Sequence, residues 1–341
     1  MATIKDVAAR AGVSFTTVSH VVNNTRPVSS EVRAKVEAAI RELNFVPSAV
    51  ARSLKARTTS TIGVVVPNST NPYFAEISRG IEGYFERRGY CVILGNSDDE
   101  PEKQRKYLRV LIERRIDGLI VASAGDQDTL RDALGRTDVP VVIVDREVPG
   151  VQADLVQIDH EEGAYMAARH LLELGHRRIA CISGPSQMVV SEARVHGFIR
   201  ALREASIEVE GCQVIASDYT SSGGYEAAVS LLRNSPPTAI FAANDVMALG
   251  ALRAAAERGL SVPRDLSVIG FDDIAMSRFF YPALTTVGQS ILMLGERAAQ
   301  TLLERVTRDV EGEARRIIIA PNLIVRESTG APRTHEIGSA A

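Results

Sequence analysis

A two-lobed α/β body of parallel sheets, preceded by a small all-α helix-turn-helix head, is the fold class the sequence predicts. Three observations predict it. Short β-branched runs alternate with amphipathic segments from Thr61 onward, and the alternation runs twice. Three apolar-faced helical segments occupy the first fifty residues, the first two joined at Gly12. Residues 1–60 carry nine Lys/Arg against four acids, so a formal net charge of -3 divides into a basic end and an acidic remainder. A basic end on an acidic body points to a polyanion partner for that end.

The elements of the head follow from its first stretch, "TIKDVAARAGVSFTTVSHVVN". Thr3 and Asp6 form a capping-box variant and start a helix whose apolar face is Ile4, Val7, Ala8 and Ala11. Gly12 ends it, because glycine takes positive φ without strain. Ser14 caps a second helix through the Thr17 N–H, with Val18, Val21 and Val22 on its buried side. A third begins at Ser29 or Ser30, carries Val32, Val36, Ile40 and Leu43 on one face, and stops at Asn44 and Pro47.

In a helix-turn-helix the second helix enters the DNA major groove and offers its first residues to base edges. Phe15, Thr16, Thr17, Ser19 and His20 lie off the valine face. Their methyl, hydroxyls, imidazole and ring suit thymine methyls, base acceptors and phosphates. Thr3, Lys5, Ser14 and Asn23 complete the candidate DNA-binding set, and Lys5 and Arg10 are candidate phosphate contacts. Ser48, Val50 and Leu54 mark a short hinge helix. At about nine residues it is too short to persist alone, since isolated helices below ~12–15 residues are marginal in water.

In the body, "TIGVVVP", "YCVILGN", "DGLIVAS" and "VPVVIVD" read as strands, with helices at Tyr73–Arg88 and Pro101–Arg114 between them. A helix at Glu161–Leu174 restarts the alternation, and "RRIACISG", "TAIFAAND" and "LSVIGFDD" follow as strands. Two such lobes bind a ligand in the crevice at the carboxyl ends of their strands. Those ends hold Asn71, Tyr73, Phe74, Asp145, Arg146, Arg194, Tyr219, Asn244, Asp272 and Gln289. Carboxylates accept from hydroxyls, arginine donates a fork, amides do both, and rings face the C–H side of a sugar. A small polyol needs that mixture, because each buried hydroxyl must find partners.

Enzyme signatures are missing. "VVVPNSTNPYF" lacks G-x-G-x-x-G, and neither a phosphate-binding G-x-x-x-x-G-K-[ST] nor a G-x-S-x-G elbow occurs. "HEEGA" at His160 approaches H-E-x-x-H, but Ala164 stands where the second histidine would. No catalytic set, metal site or cofactor is expected. Cys91, Cys181 and Cys212 have no ligand spacing and read as buried thiols in a reducing compartment. No signal peptide or membrane-spanning apolar run is evident, so a cytoplasmic location without membrane contact is expected, and a periplasmic sugar carrier is disfavoured.

The stretch Thr3–Asn23, with "VPSAVARSLKARTT" after it, resembles the lactose-repressor (LacI/GalR) family of bacterial transcriptional regulators, nearest its ribose- and purine-responsive branches. The resemblance continues to about Arg326. It implies a homodimer on double-stranded operator DNA, with Leu54 wedged into the minor groove and Lys55 and Arg57 near phosphates. It implies a body similar to periplasmic sugar-binding proteins, above all those for ribose. On it, Asn71, Asp145, Arg146, Arg194, Asn244, Asp272 and Gln289 would hydrogen-bond ribose or a related sugar, and Tyr73, Phe74 and Tyr219 would stack on it. Arg146 stands where purine-responsive members carry a tryptophan, which favours a sugar over a purine. The domain plan expected is a head at 1–46, a hinge at 47–60 and an effector and dimerisation domain at 61–328. Lobe one takes about 61–160 plus 291–320, lobe two about 161–290 plus 321–328, and a tail fills 329–341.

Overall fold

The computed structural model describes residues 2–46, 58–122, 127–135, 137–148, 150–208, 213–233 and 236–333. The expected hinge residues Leu54, Lys55 and Arg57 lie outside these, as does Cys212. Residues 1–59 and 60–341 form two compact units.

The head contains α1 (Ile4–Ala11), α2 (Phe15–Asn23) and α3 (Ser30–Glu42). Thr3 Oγ1 accepts from the Asp6 N–H at 3.3 Å and the Asp6 carboxylate accepts from the Thr3 N–H at 2.8 Å, a complete capping box. Gly12 closes α1 at φ 65°, in the left-handed region. Ser14 Oγ accepts from the Thr17 N–H at 3.1 Å and Ser29 caps α3. Val7, Val18 and Val36 are fully buried and meet with Ala8, Val21 and Ala39 in one core. So small a core, cross-tied by a fork from Arg10 to Glu42, leaves most of the head's polar surface in solvent.

The body contains two six-stranded sheets. Sheet one takes β1 (Thr61–Val66), β2 (Cys91–Asn96), β3 (Gly118–Ala122), β4 (Val141–Val144) and β5 (Asp154–Ile158), then β11 (Arg316–Ile319) from near the chain's end. Its order is β11-β5-β4-β3-β1-β2, parallel throughout. Sheet two takes β6 (Ile179–Ser183), β7 (Val214–Ala216), β8 (Ala239–Ala242), β9 (Ser267–Asp272), β10 (Thr285–Gly288) and β12 (Asn322–Ile324), in the order β12-β10-β9-β8-β6-β7. The last pair departs from the parallel pattern: β12 runs antiparallel to β10, with Ile324 opposite Thr286. The chain therefore passes between sheets three times, after β5, after β10 and after β11.

In lobe one, α4 (Pro72–Glu86), α5 (Pro101–Glu113) and α6 (Gln127–Leu134) connect successive strands. Phe74, Ile77, Ile81 and Phe85 of α4 bury their rings and branches on Val64, Ile120 and Val142, together with Leu294, Ala298 and Leu302 of α11 (Ile291–Val306). A Cβ on Gly80 would lie 2.3 Å from the Leu292 carbonyl oxygen, and one on Gly295 would lie 2.3 Å from that of Ile77. These two glycines let α4 and α11 pack backbone to backbone. In lobe two, α7 (His160–Glu173) and α8 (Val189–Glu204) cover one face, and α9 (Ser221–Leu231) and α10 (Asp245–Glu257) the other.

Two expectations are corrected here. Cys181 is buried but Cys91 is exposed, because it opens the edge strand β2, whose flanking residues are largely uncovered. The packed chain also runs past 328. Thr329 Oγ1 lies 2.9 Å from His170 Nε2, and the Gly330 carbonyl 2.8 Å from His176 Nε2, so these two residues belong to lobe two rather than to a tail. Among the described residues no helix is long and apolar enough to cross a membrane.

Candidate functional site

On the head, the first turn of α2 presents Phe15, 61% exposed, and the exposed Thr16. Several of the other candidates are already engaged. Thr3 is held in its capping box, and the Ser14 and Thr17 hydroxyls bond each other at 2.9 Å. His20 Nδ1 lies 2.7 Å from the Thr25 hydroxyl, and Asn23 Nδ2 donates to the Ser19 carbonyl at 2.9 Å. Lys5 is exposed. Arg10, expected on phosphate, instead gives its guanidinium to Glu42. Of these candidates, Phe15, Thr16 and Lys5 are exposed on the surface of the head.

In the body, nine of the ten candidates line one cavity of ≈ 80 Å³ between the carboxyl ends of the two sheets. From lobe one come Asn71, Tyr73, Phe74, Asp145 and Arg146; from lobe two come Arg194, Tyr219, Asn244 and Asp272. The tenth, Gln289, is not in the lining. It leaves β10 where the strand pairs with β12, and its Oε1 accepts from Asn322 Nδ2 at 2.9 Å. Asn68, Asp99, Met188, Val190, Asp218 and Thr220 also line the cavity and had no signal in the sequence. Apart from Val190, in the first turn of α8, they sit in loops, where hydrophobic period carries no information.

Helix capping orients the two asparagines. Asn71 Oδ1 accepts from the Tyr73 N–H at 3.0 Å, and Asn244 Oδ1 from the Met247 N–H at 2.7 Å. Each carbonyl oxygen is thereby occupied, and Asn71 keeps its NH₂ for donation. Asp145, Tyr219 and Asp272 have φ of 71°, 65° and 108°. Three non-glycine residues in the left-handed region of one cavity is stored strain of the kind found at ligand sites.

The polar groups interlock. Tyr73 Oη donates to Asp145 Oδ1 at 2.6 Å. Arg194 Nη2 donates to Asp272 Oδ1 at 3.1 Å, its Nη1 to the Ala243 carbonyl, and its guanidinium carbon lies 3.8 Å from the centre of the Phe271 ring. Arg146 Nε lies 3.7 Å from Asp145 Oδ2, beyond hydrogen-bond length. Arg146 Nε and Nη1 and Arg194 Nε are buried without a hydrogen-bond partner in the protein. Buried donors left unpaired cost ~1–3 kcal/mol each, more when charged, so a ligand that accepts from them is favoured.

The two carboxylates differ. Burial alone raises Asp145, but its hydrogen bond to His160 and the Arg146 and Arg194 charges outweigh burial and hold it below the usual carboxylate range. Burial pushes Asp272 up to about 7, with Arg194 opposing the rise and Asp145 adding to it. Asp245, buried and bonded to the Thr286 hydroxyl and the Ile274 N–H, is raised chiefly by burial as well. Between about pH 4 and about pH 7 the folded chain holds a proton on Asp272 that the unfolded chain has released, so stability falls as pH rises through that window. Denaturant titrations of the ligand-free protein should show lower stability at pH 7.5 than at pH 5.5. The Asp272→Asn protein should lose part of that slope, and Asp245 should supply the rest. An unchanged slope in the variant removes Asp272 from this role.

Residues 59–327 match the family described as periplasmic binding proteins and sugar binding domain of LacI family. Residues 3–48 match bacterial regulatory proteins, lacI family. The HTH-type transcriptional repressor PurR of Haemophilus influenzae (strain PittEE) is 45% identical over 332 residues, which are 96% of this chain and 98% of that one. The HTH-type transcriptional repressor PurR of Photobacterium profundum is 44% identical over 330 residues, with 96% and 98% of the two chains covered. Among solved structures, the lac repressor dimer bound to operator and the anti-inducer ONPF superposes with a TM-score of 0.86 at 31% identity, covering 97% of this chain and 99% of that one. A LacI family transcriptional regulator from Enterococcus faecium with bound ribose gives a TM-score of 0.72 at 34% identity, covering 80% of this chain and 100% of that one.

Proposed function

Because the chain belongs to the LacI family of bacterial regulatory proteins, we propose that its hold on an operator is controlled by a small sugar, with ribose as inducer. The chain is a DNA-binding transcriptional repressor with a separate ligand-binding body, and the effector is the finer part of the reading. One observation carries it: unpaired Arg146 and Arg194 donors share a cavity with the buried carboxylates Asp145 and Asp272. Each sugar hydroxyl both donates and accepts, so a polyol satisfies both kinds of group at once. The ribose-bound relative of similar fold supports the same choice.

A purine corepressor is the second reading, favoured by the 45% identity to repressors named PurR. The charged fork of Arg146 beside Asp145 weighs against it, since a purine face calls for a flat apolar wall. Calorimetry with ribose, other pentoses, fructose and hypoxanthine separates the readings. Ribose binding that lowers operator affinity supports the inducer; tight hypoxanthine binding with silent ribose replaces it by the purine.

On the head, Thr16→Ala should cost ~1–3 kcal/mol at one or two base pairs, and His20→Ala the same if its imidazole leaves Thr25 for a base. Lys5→Ala should weaken binding to all sequences alike and lower the salt slope by about 1. A fluorescence titration over operator variants reads both effects. Unchanged sequence preference in the Thr16 and His20 variants would reject α2 as the reading helix.

Assembly as a homodimer suits a palindromic operator. Its support is the uncovered apolar surface: Ile93 and Leu94 on the edge strand β2, and Phe279 and Tyr281, 81% and 96% exposed, after β9. Light scattering at micromolar protein should give a dimer mass, and a tetramer would refute this.

A further inference from the structure

His160 is 5% exposed, lies outside the cavity lining, and has no part in the sugar contacts described above. It is the first residue of α7, where the chain leaves sheet one for sheet two. The metal-helix pattern it begins is void, since Ala164 is a buried core residue.

Its surroundings give it another task. Nε2 lies 3.1 Å from the Asp145 carbonyl oxygen and 3.4 Å from Asp145 Oδ1. Nδ1 lies 3.3 Å from Arg194 Nη2, and the same Nη2 reaches Asp272 Oδ1 at 3.1 Å. A guanidinium only donates, so Nδ1 must accept. The ring proton then resides on Nε2, where an acceptor waits for it. A line of hydrogen bonds therefore runs Asp145–His160–Arg194–Asp272, from the end of β4 in one lobe to the end of β9 in the other.

We propose that His160 is a positioning residue of the effector site: as the neutral Nε2–H tautomer it ties the lobe-one carboxylate Asp145 to the lobe-two pair Arg194–Asp272, setting both halves of the site in register. Asp145 and Asp272 sit on separate sheets, and His160 supplies a direct polar link between their surroundings. Its ring, tilted against Phe271 at a centroid distance of 6.1 Å, is held in place by packing as well. The ligand readout rests on the sugar reading; the tautomer does not.

Two measurements test it. In ¹⁵N spectra of the ligand-free protein, His160 should show a protonated Nε2 and an unprotonated Nδ1. A doubly protonated ring, or one protonated at Nδ1, overturns the proposal. In the second, His160→Phe keeps a buried ring and loses both bonds, while His160→Gln can restore one acceptor and one donor. Ribose affinity should fall roughly 10- to 100-fold in the Phe variant and recover most of that loss in the Gln variant, with operator binding in the absence of sugar unchanged. Equal ribose affinity in wild type and both variants overturns the proposal, and so does a Gln variant no better than Phe. If the Phe variant does not fold, the comparison of Gln with Ala at 160 replaces it. If wild type binds no ribose, the sugar reading falls and the nitrogen spectra alone decide the link.

Discussion

Asp272→Ala should weaken ribose binding at least ~10-fold and leave operator binding in the absence of sugar as it was. The carboxylate is buried, ends β9 with φ 108°, and accepts from Arg194 at 3.1 Å. Removing one partner of a charged buried hydrogen bond costs roughly 1.5–3 kcal/mol, and each 1.4 kcal/mol is about a tenfold change in affinity. On the sugar reading proposed above, the loss falls on the effector and not on the DNA, because head and body are separate compact units. The variant is thus expected to repress without responding. Calorimetry with ribose and an operator titration, with and without sugar, check the two halves of the statement. Wild-type affinity for ribose in the variant would place the sugar elsewhere.

Arg194→Leu should have the larger effect on stability. Arg194 is buried beside Asp272, and its charge also acts on Asp145. Its loss strands carboxylates that no solvent reaches, and breaking a buried pair in this way costs about 3–5 kcal/mol. It also empties the donor side of the Ala243 carbonyl and of His160 Nδ1. For a body of this size that is a fall in melting temperature of roughly 6–20 °C. Differential scanning calorimetry measures it. Replacing Asp272 by leucine in the same chain should recover part of the loss, because fewer buried charges then stand alone. A single variant within about 1 kcal/mol of wild type would mean that water enters the site and that the cavity is not dry.

The capping residues made the head readable. Thr3, Gly12, Ser14 and Ser29 each announce a helix end through local chemistry, and each does so in the structure. The inner strands of the body were readable because both faces are covered, so they appear as unbroken β-branched runs such as "TIGVVV" and "VVIV". The three-residue strand β12 has no such run, and its antiparallel pairing with β10 depends on where the last crossing brings it. The cavity lining was readable where a polar residue ends a strand, as with Asp145 and Asp272. It was not readable where a loop folds back, as with Asp99, Met188 and Asp218, nor where a polar residue ends a strand but finds a neighbour first, as Gln289 finds Asn322. The left-handed backbone of Asp145, Tyr219 and Asp272 is likewise silent in the sequence, since no glycine marks it.

Because α4 packs on α11 through Gly80 and Gly295, lobe one must wait for the end of synthesis. The ribosome releases α4 early and α11 only after strands β6 to β10 of lobe two. Until then Phe74, Ile77 and Ile81 have no Leu294 or Leu302 to cover them. Strands β6 to β10, by contrast, emerge as one unbroken stretch and pair among themselves. The second half of the body, short of β12, can therefore reach most of its native packing on the ribosome before the first half does, reversing the usual N-to-C order of maturation. A nascent chain halted at Ser290 would hold five of the six strands of sheet two and expose the apolar face of lobe one, and a chaperone that binds bare aliphatic surface would find it there.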